Sequence, residues 1–106
     1  MDNVIDLATI VQHEVEDYAT GDWWEASAFA VSDTKRKIYT VIVVPAAKKT
    51  KAGLVVMARI VESTVVIDHD TTDRPLWKEL VAAGIPREQI ILAYAGATVP
   101  ESASPS

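Results

Sequence analysis

The chain has 106 residues, 49% of them hydrophobic and 24% charged, with a formal net charge of -5 at pH 7 and no cysteine. That length suits one domain with its own core. The missing cysteine excludes disulfides, thiolate nucleophiles and thiolate metal centres, and the acidity makes the surface as a whole a poor match for nucleic acid phosphates.

Residues 3–19 read as an amphipathic helix, because Val4, Leu7, Val11, Val15 and Tyr18 recur at three- and four-residue spacing. Asp2 or Asn3 is placed to cap its start, Asp6 suits the positive end of its dipole, and Gly21 ends it. Four strands are expected next, at 24–32, 37–44, 54–61 and 64–68, from their β-branched and alternating residues. Ser32-Asp33-Thr34 is a turn between the first two, and Glu62-Ser63 stands where a tight hairpin turn belongs, although neither is a preferred turn residue. A second helix follows, with Thr71, Thr72 or Asp73 as its cap, Pro75 in its first turn and Gly84 at its end. Residues 89–94 form the last strand, and the stretch 96–106, rich in Gly, Pro, Ser and Ala, is expected to be a disordered tail after a domain of 1–95. The order α-β-β-β-β-α-β gives a single α+β domain, a mainly antiparallel sheet with two helices packed on one face.

Strands 37–44 and 54–61 hardly alternate; Thr40 and Arg59 are their only clearly polar interior residues. Two helices cover one sheet face, so the second face calls for a partner, most economically another copy of the chain. Trp23, Trp24, Tyr39 and Met57 are the candidate interface residues; of the adjacent tryptophans, one is expected in the core and one partly exposed.

Charge is segregated. Residues 1–33 hold eight acids and no base, and residues 34–60 hold seven bases and no acid. Lys35, Arg36 and Lys37 lie at one end of the second strand, and Lys48, Lys49 and Lys51 at the other. A strand of about seven residues spans roughly 23 Å, beyond the Debye length of about 8 Å in cells, so the clusters do not act as one patch in a monomer. They are contact loops for DNA in one reading and solvated loop tips in the other, with any DNA contact indirect or weak.

The string Val65-Val66-Ile67-Asp68-His69-Asp70-Thr71-Thr72 resembles the first motif of haloacid-dehalogenase-type phosphatases. The 34 residues after Thr72 leave no room for the rest of such an enzyme. As a metal site, Asp68, His69, Asp70 and Asp73 are a weak polar cluster: on an extended strand Asp68 and Asp70 converge while His69 faces away, and one carboxylate pair holds an ion poorly. No catalytic residue, metal or cofactor is assigned. Met1-Asp2-Asn3-Val4 is no signal sequence and no stretch reaches the roughly 20 apolar residues of a membrane helix, so a cytoplasmic protein without membrane contact is expected.

Residues 65–94 carry a family resemblance. Val65 to Asp73 is similar to an apolar strand followed by a D-x-T-[ED] turn. Glu79-Leu80-Val81-Ala82-Ala83-Gly84-Ile85-Pro86-Arg87-Glu88-Gln89-Ile90-Ile91-Leu92-Ala93-Tyr94 is similar to the signature ELVxAGIPKEDIVLAF. Both resemble the XisI family, the fdxN element excision controlling factor proteins. About 90 residues run in a similar order of elements. The chain departs from the family pattern at Met57-Ala58-Arg59-Ile60, where a His is usual, and in its Gly/Pro/Ser tail, where an extension rich in Arg, Tyr and Phe is usual. The resemblance implies an accessory factor of DNA excision with an XisH-like protein as partner. Together with the acidic charge and the two-sided apolar strands, it leads to the expectation of a non-enzymatic protein that acts by protein–protein contact as a homo-oligomer, a dimer above all.

Overall fold

Asp6 opens the first helix in the computed structural model, which describes residues 6–21, 23, 25–47 and 51–99. Its carboxylate accepts from the Thr9 hydroxyl at 2.6 Å and from the Thr9 backbone N–H at 3.4 Å. These bonds, the side-chain one first, hold the Asp6 carboxyl below its ordinary pKa. Helix α1 therefore runs Leu7–Asp17 with Asp6 as its N-cap; Asp2 and Asn3, the caps expected from sequence, lie outside the described residues. The apolar stripe behaves as its spacing requires, with Val11 and Val15 at 0% and 1% exposure.

Five strands follow: β1 (Ala26–Asp33), β2 (Ile38–Pro45), β3 (Gly53–Val61), β4 (Thr64–Asp70) and, after helix α2 (Leu76–Ala82), β5 (Ile90–Leu92). They lie side by side in chain order. The first three pairings are antiparallel hairpins and β4–β5 is parallel, which requires a crossover, here the α2 segment. Single 3-10 turns flank β5, at Arg87–Gln89 and Ala93–Ala95. The last strand is thus shorter than the 89–94 expected, because Gln89 and Tyr94 sit in those turns.

Both helices pack on one face. Val56 and Ala58 of β3, facing Val41 and Tyr39 of β2, form its centre together with Val65 and Ile67 of β4, and all six are at most 1% exposed. Tyr39 is 1% exposed, which corrects its reading as an interface residue: the strand alternation turns the ring under the helices, and burial raises its pKa above the ordinary value.

Two irregularities interrupt the ladders. The β2–β3 register skips Val55 and the β3–β4 register skips Asp68, so each strand carries one extra residue there. The hairpin turns are unusual too. Lys37 and Glu62 stand at φ 57°, a left-handed conformation costly to residues with a Cβ.

The end of α2 follows a Schellman pattern. Gly84, at φ 112°, donates to the Val81 carbonyl, and Ile85 donates to the Leu80 carbonyl, both at 3.0 Å. Ile85 then turns inward, 1% exposed. The tail expected at 96–106 is described as far as Val99, and Ala97 donates back to the Leu92 carbonyl at 3.1 Å; residues 100–106 lie outside the described residues. Replacing Gly84 with Ala forces a side chain into the left-handed region and is expected to lower stability by about 1–2 kcal/mol, measured as a lower urea midpoint with an unchanged slope.

Candidate functional site

The cluster at the end of β4 is divided by the bulge. The register places Asp70 opposite Val56, on the helix face. Asp68 is the extra residue and reaches Arg59 on the other face, with Nε to Oδ2 at 2.7 Å and Nη2 to Oδ1 at 3.3 Å. His69 lies opposite Met57, also on that face, and its Nε2 is 3.2 Å from the Leu54 carbonyl. The expected convergence of Asp68 with Asp70 is therefore corrected: one extra residue reverses the alternation, and it is His69 that shares a face with Asp68.

Asp70 has a structural task. One carboxylate oxygen accepts from the Thr72 N–H at 2.8 Å and the Thr72 hydroxyl at 2.6 Å, and the other from the Leu76 N–H at 2.7 Å. Leu76 is the first residue of α2, and Pro75 before it supplies no side-chain cap. Asp70 thus caps the helix from six residues back, in place of Thr71, Thr72 or Asp73. Thr71 donates from both its N–H and its hydroxyl to the Val55 carbonyl, each at 3.0 Å. Asp73 is exposed. Among the described residues no group of three or more His, Asp or Glu side chains is placed to hold a metal ion.

Beside this strand end lies a cleft of about 420 Å³, with Trp23, Val43, Leu54 and Val55 along its apolar side and Tyr18, Thr72, Asp73 and Arg74 at its polar rim. Trp23 is half-buried and donates its indole N–H to the Tyr18 carbonyl at 3.2 Å. The Tyr18 hydroxyl donates to the Arg74 carbonyl, and the Arg74 guanidinium stacks 4.7 Å from the Tyr18 ring centre while pairing with Asp17 at 3.1 Å. Arg74 is therefore occupied in joining α1 to the α2 segment. Trp24 lies outside the described residues.

The second sheet face carries no helix. Phe29 and Val31 of β1, Val44 of β2 and Leu54 of β3 are exposed on it at 51%, 48%, 42% and 37%, and Ile42 lies between Phe29 and Leu54. Met57 is half-buried there. Met57 is one of the interface candidates read from the sequence, while Phe29, Val31 and Val44 are not; the alternation of β1 is the signal for Phe29 and Val31, and β2, apolar on both faces, gives none for Val44. The basic residues lie at its ends. Lys35, Arg36 and Lys37 form the β1–β2 turn, where Arg36 pairs with Asp33 at 3.6 Å, and Lys51 precedes β3. Lys48 and Lys49 lie outside the described residues.

The sequence profile of the family described as XisI protein matches residues 1–103. The chain belongs to the XisI family. Two solved structures have the same fold. One is an XisI-like protein from Anabaena variabilis ATCC 29413, 24% identical, with a TM-score of 0.69 over 81% of this chain and 82% of that one. The other is fdxN element excision controlling factor XisI from the same organism, 20% identical, with a TM-score of 0.67 over 92% of this chain and 95% of that one. No curated protein matches the sequence. The two stretches that resemble XisI proteins are, in this structure, the Asp70 cap with its strand and the α2 end with Gly84 and β5. No helix among the described residues is long and apolar enough to cross a membrane.

Two outcomes follow from this geometry. Asp70→Ala removes every one of the three bonds that fasten β4 to α2 and is expected to cost about 2–4 kcal/mol, whereas Asp68→Ala, in a partly exposed pair, costs about 1 kcal/mol or less; urea unfolding of the two variants distinguishes them. Burial first of all raises the Tyr18, Tyr39 and Tyr94 hydroxyls above their ordinary value. Each therefore contributes stability that is complete below pH about 10 and is lost as the pH rises through and beyond that value. The urea midpoint should fall as the pH rises through and beyond about 10, and Tyr18→Phe should make that fall shallower while costing about 1 kcal/mol at neutral pH.

Proposed function

We propose that this chain is a non-enzymatic accessory factor of site-specific DNA excision, acting by protein–protein contact and self-associating as a dimer. The observation that carries the reading is the apolar sheet face in a member of the XisI family: Phe29, Val31, Val44 and Leu54 stand exposed on it together, and a contiguous apolar patch of that kind marks a contact surface. The name of one structural relative, fdxN element excision controlling factor, supports the process. The carboxylates that suggested hydrolysis are bound to other work, Asp68 to Arg59 and Asp70 to the α2 cap. The basic residues at 35–37 and at 51 lie at opposite ends of β2, separated by more than a Debye length, which favours indirect over direct DNA contact. An XisH-like protein of the same host is the expected partner, in the cytoplasm.

Co-expression with the XisH-like protein of the same host tests this. The two proteins should co-purify, and Val44→Glu, which sets a charge on the open face without touching the core, should reduce recovery at least tenfold. Absence of the complex overturns the reading. Salt-dependent DNA affinity that falls with Lys35→Ala and Lys37→Ala would transfer the function to direct binding, and Asp68-dependent phosphoester turnover with magnesium would transfer it to hydrolysis.

A further inference from the structure

Among the described residues the sheet has two edges, β5 with three residues and β1 with eight. A short edge strand resists pairing with another chain, and so do edge charges and prolines. Strand β1, with the sequence ASAFAVSD, has no proline and no charge before its last residue.

The parity of the β1–β2 ladder decides which backbone groups face outward. The Ala46 N–H donates to the Glu25 carbonyl at 2.8 Å. Glu25 and, at two-residue intervals, Ser27, Phe29 and Val31 therefore bond inward to β2. Ala28, Ala30 and Ser32 turn their N–H and C=O groups to the outer edge. Their small side chains leave the approach to that edge open.

We infer that β1 pairs antiparallel with β1 of a second copy, about a two-fold axis at Ala30, so that two sheets continue into one. This deepens the self-association in the reading above and rests on it. Charge favours a second copy over any other strand. Acidic Glu25 precedes β1 and the basic turn with Lys35 follows it, so an antiparallel copy brings opposite charges together twice. With Ala30 opposite the partner's Ala30, Glu25 faces the partner's Lys35. In the same register Phe29 faces the partner's Val31, an aromatic and β-branched pair of the favourable kind, half-exposed in the single chain. Sliding one way sets Glu25 against the partner's Asp33, two like charges; sliding the other way sets Phe29 against the partner's Asp33. The register is thereby specified by side chains as well as by the ladder.

The chain has no cysteine, so Ala30→Cys introduces a single thiol on the axis. Light scattering of the wild-type chain at tens of micromolar should give the mass of two chains. Mild oxidation of Ala30→Cys should link most of it into a dimer, while Val44→Cys, on the open face, should stay unlinked. Ala30→Pro removes only an outward N–H and should give the mass of one chain with an unchanged circular dichroism spectrum. Should that variant not fold, Glu25→Lys serves instead: it should weaken the dimer at least tenfold, and adding Lys35→Glu should restore it. A wild-type chain of single mass overturns both this pairing and self-association. A wild-type dimer that fails to cross-link at Ala30→Cys and ignores the charge exchange overturns the β1 pairing and leaves self-association standing.

Discussion

Where the chain leaves β4, both oxygens of the Asp70 carboxylate are taken up by backbone and hydroxyl groups of the next six residues. This fixes the turn from sheet to helix, and much else depends on it. The axis of α2 starts from that point, so Leu76 and Leu80 come down on the sheet with 0% exposure. Only with α2 seated does the chain return in the right direction for β5 to join β4 in parallel. Thr71 adds a second fastening, to the carbonyl of the bulged residue Val55. The Asp-x-Thr string thus acts as a clasp. Its resemblance to a phosphatase motif comes from the same chemistry that serves both purposes: a carboxylate beside hydroxyls and amides at a strand end.

The helices cover one side of the sheet only. The helix face holds the core, and the other keeps Phe29, Val31, Val44 and Leu54 in water. At about 25 cal/mol per Å² of apolar surface, leaving such side chains uncovered forgoes several kcal/mol of stabilisation in the single chain. A structure that tolerates that loss has a use for the surface, and the segregated charge at the two ends of β1 gives that use an orientation.

The order of elements was legible in the sequence because the helix stripe and the strand runs were long and periodic. So was the apolar character of the second face, from the missing alternation in β2 and β3. What escaped was local. Tyr39 was misplaced because both neighbours, Ile38 and Thr40, are also suited to a strand, and only the pairing with Ala58 says which side is inward. The division of Asp68 from Asp70 depends on a single skipped residue opposite Met57 and Ala58, and no residue type announces such a bulge. The α2 cap was sought within the usual three residues of the helix start, whereas the carboxylate that serves it stands on the preceding strand. Arg74 offered no signal at all: its stacking on Tyr18 joins positions distant in sequence.

The parallel seating of β5 has a consequence for the life of the chain on the ribosome. Strands β1 to β4 form successive hairpins, each closable from neighbouring residues as they emerge. Strand β5 must wait for α2 and for the clasp at Asp70, since a parallel partner cannot be reached through a turn. Until then the outer side of β4 is an open edge made of Val65, Val66 and Ile67, all of which end at 0% exposure. The nascent protein therefore passes through a stage with two adhesive edges instead of one, and the speed of that final closure sets how long it needs protection from aggregation.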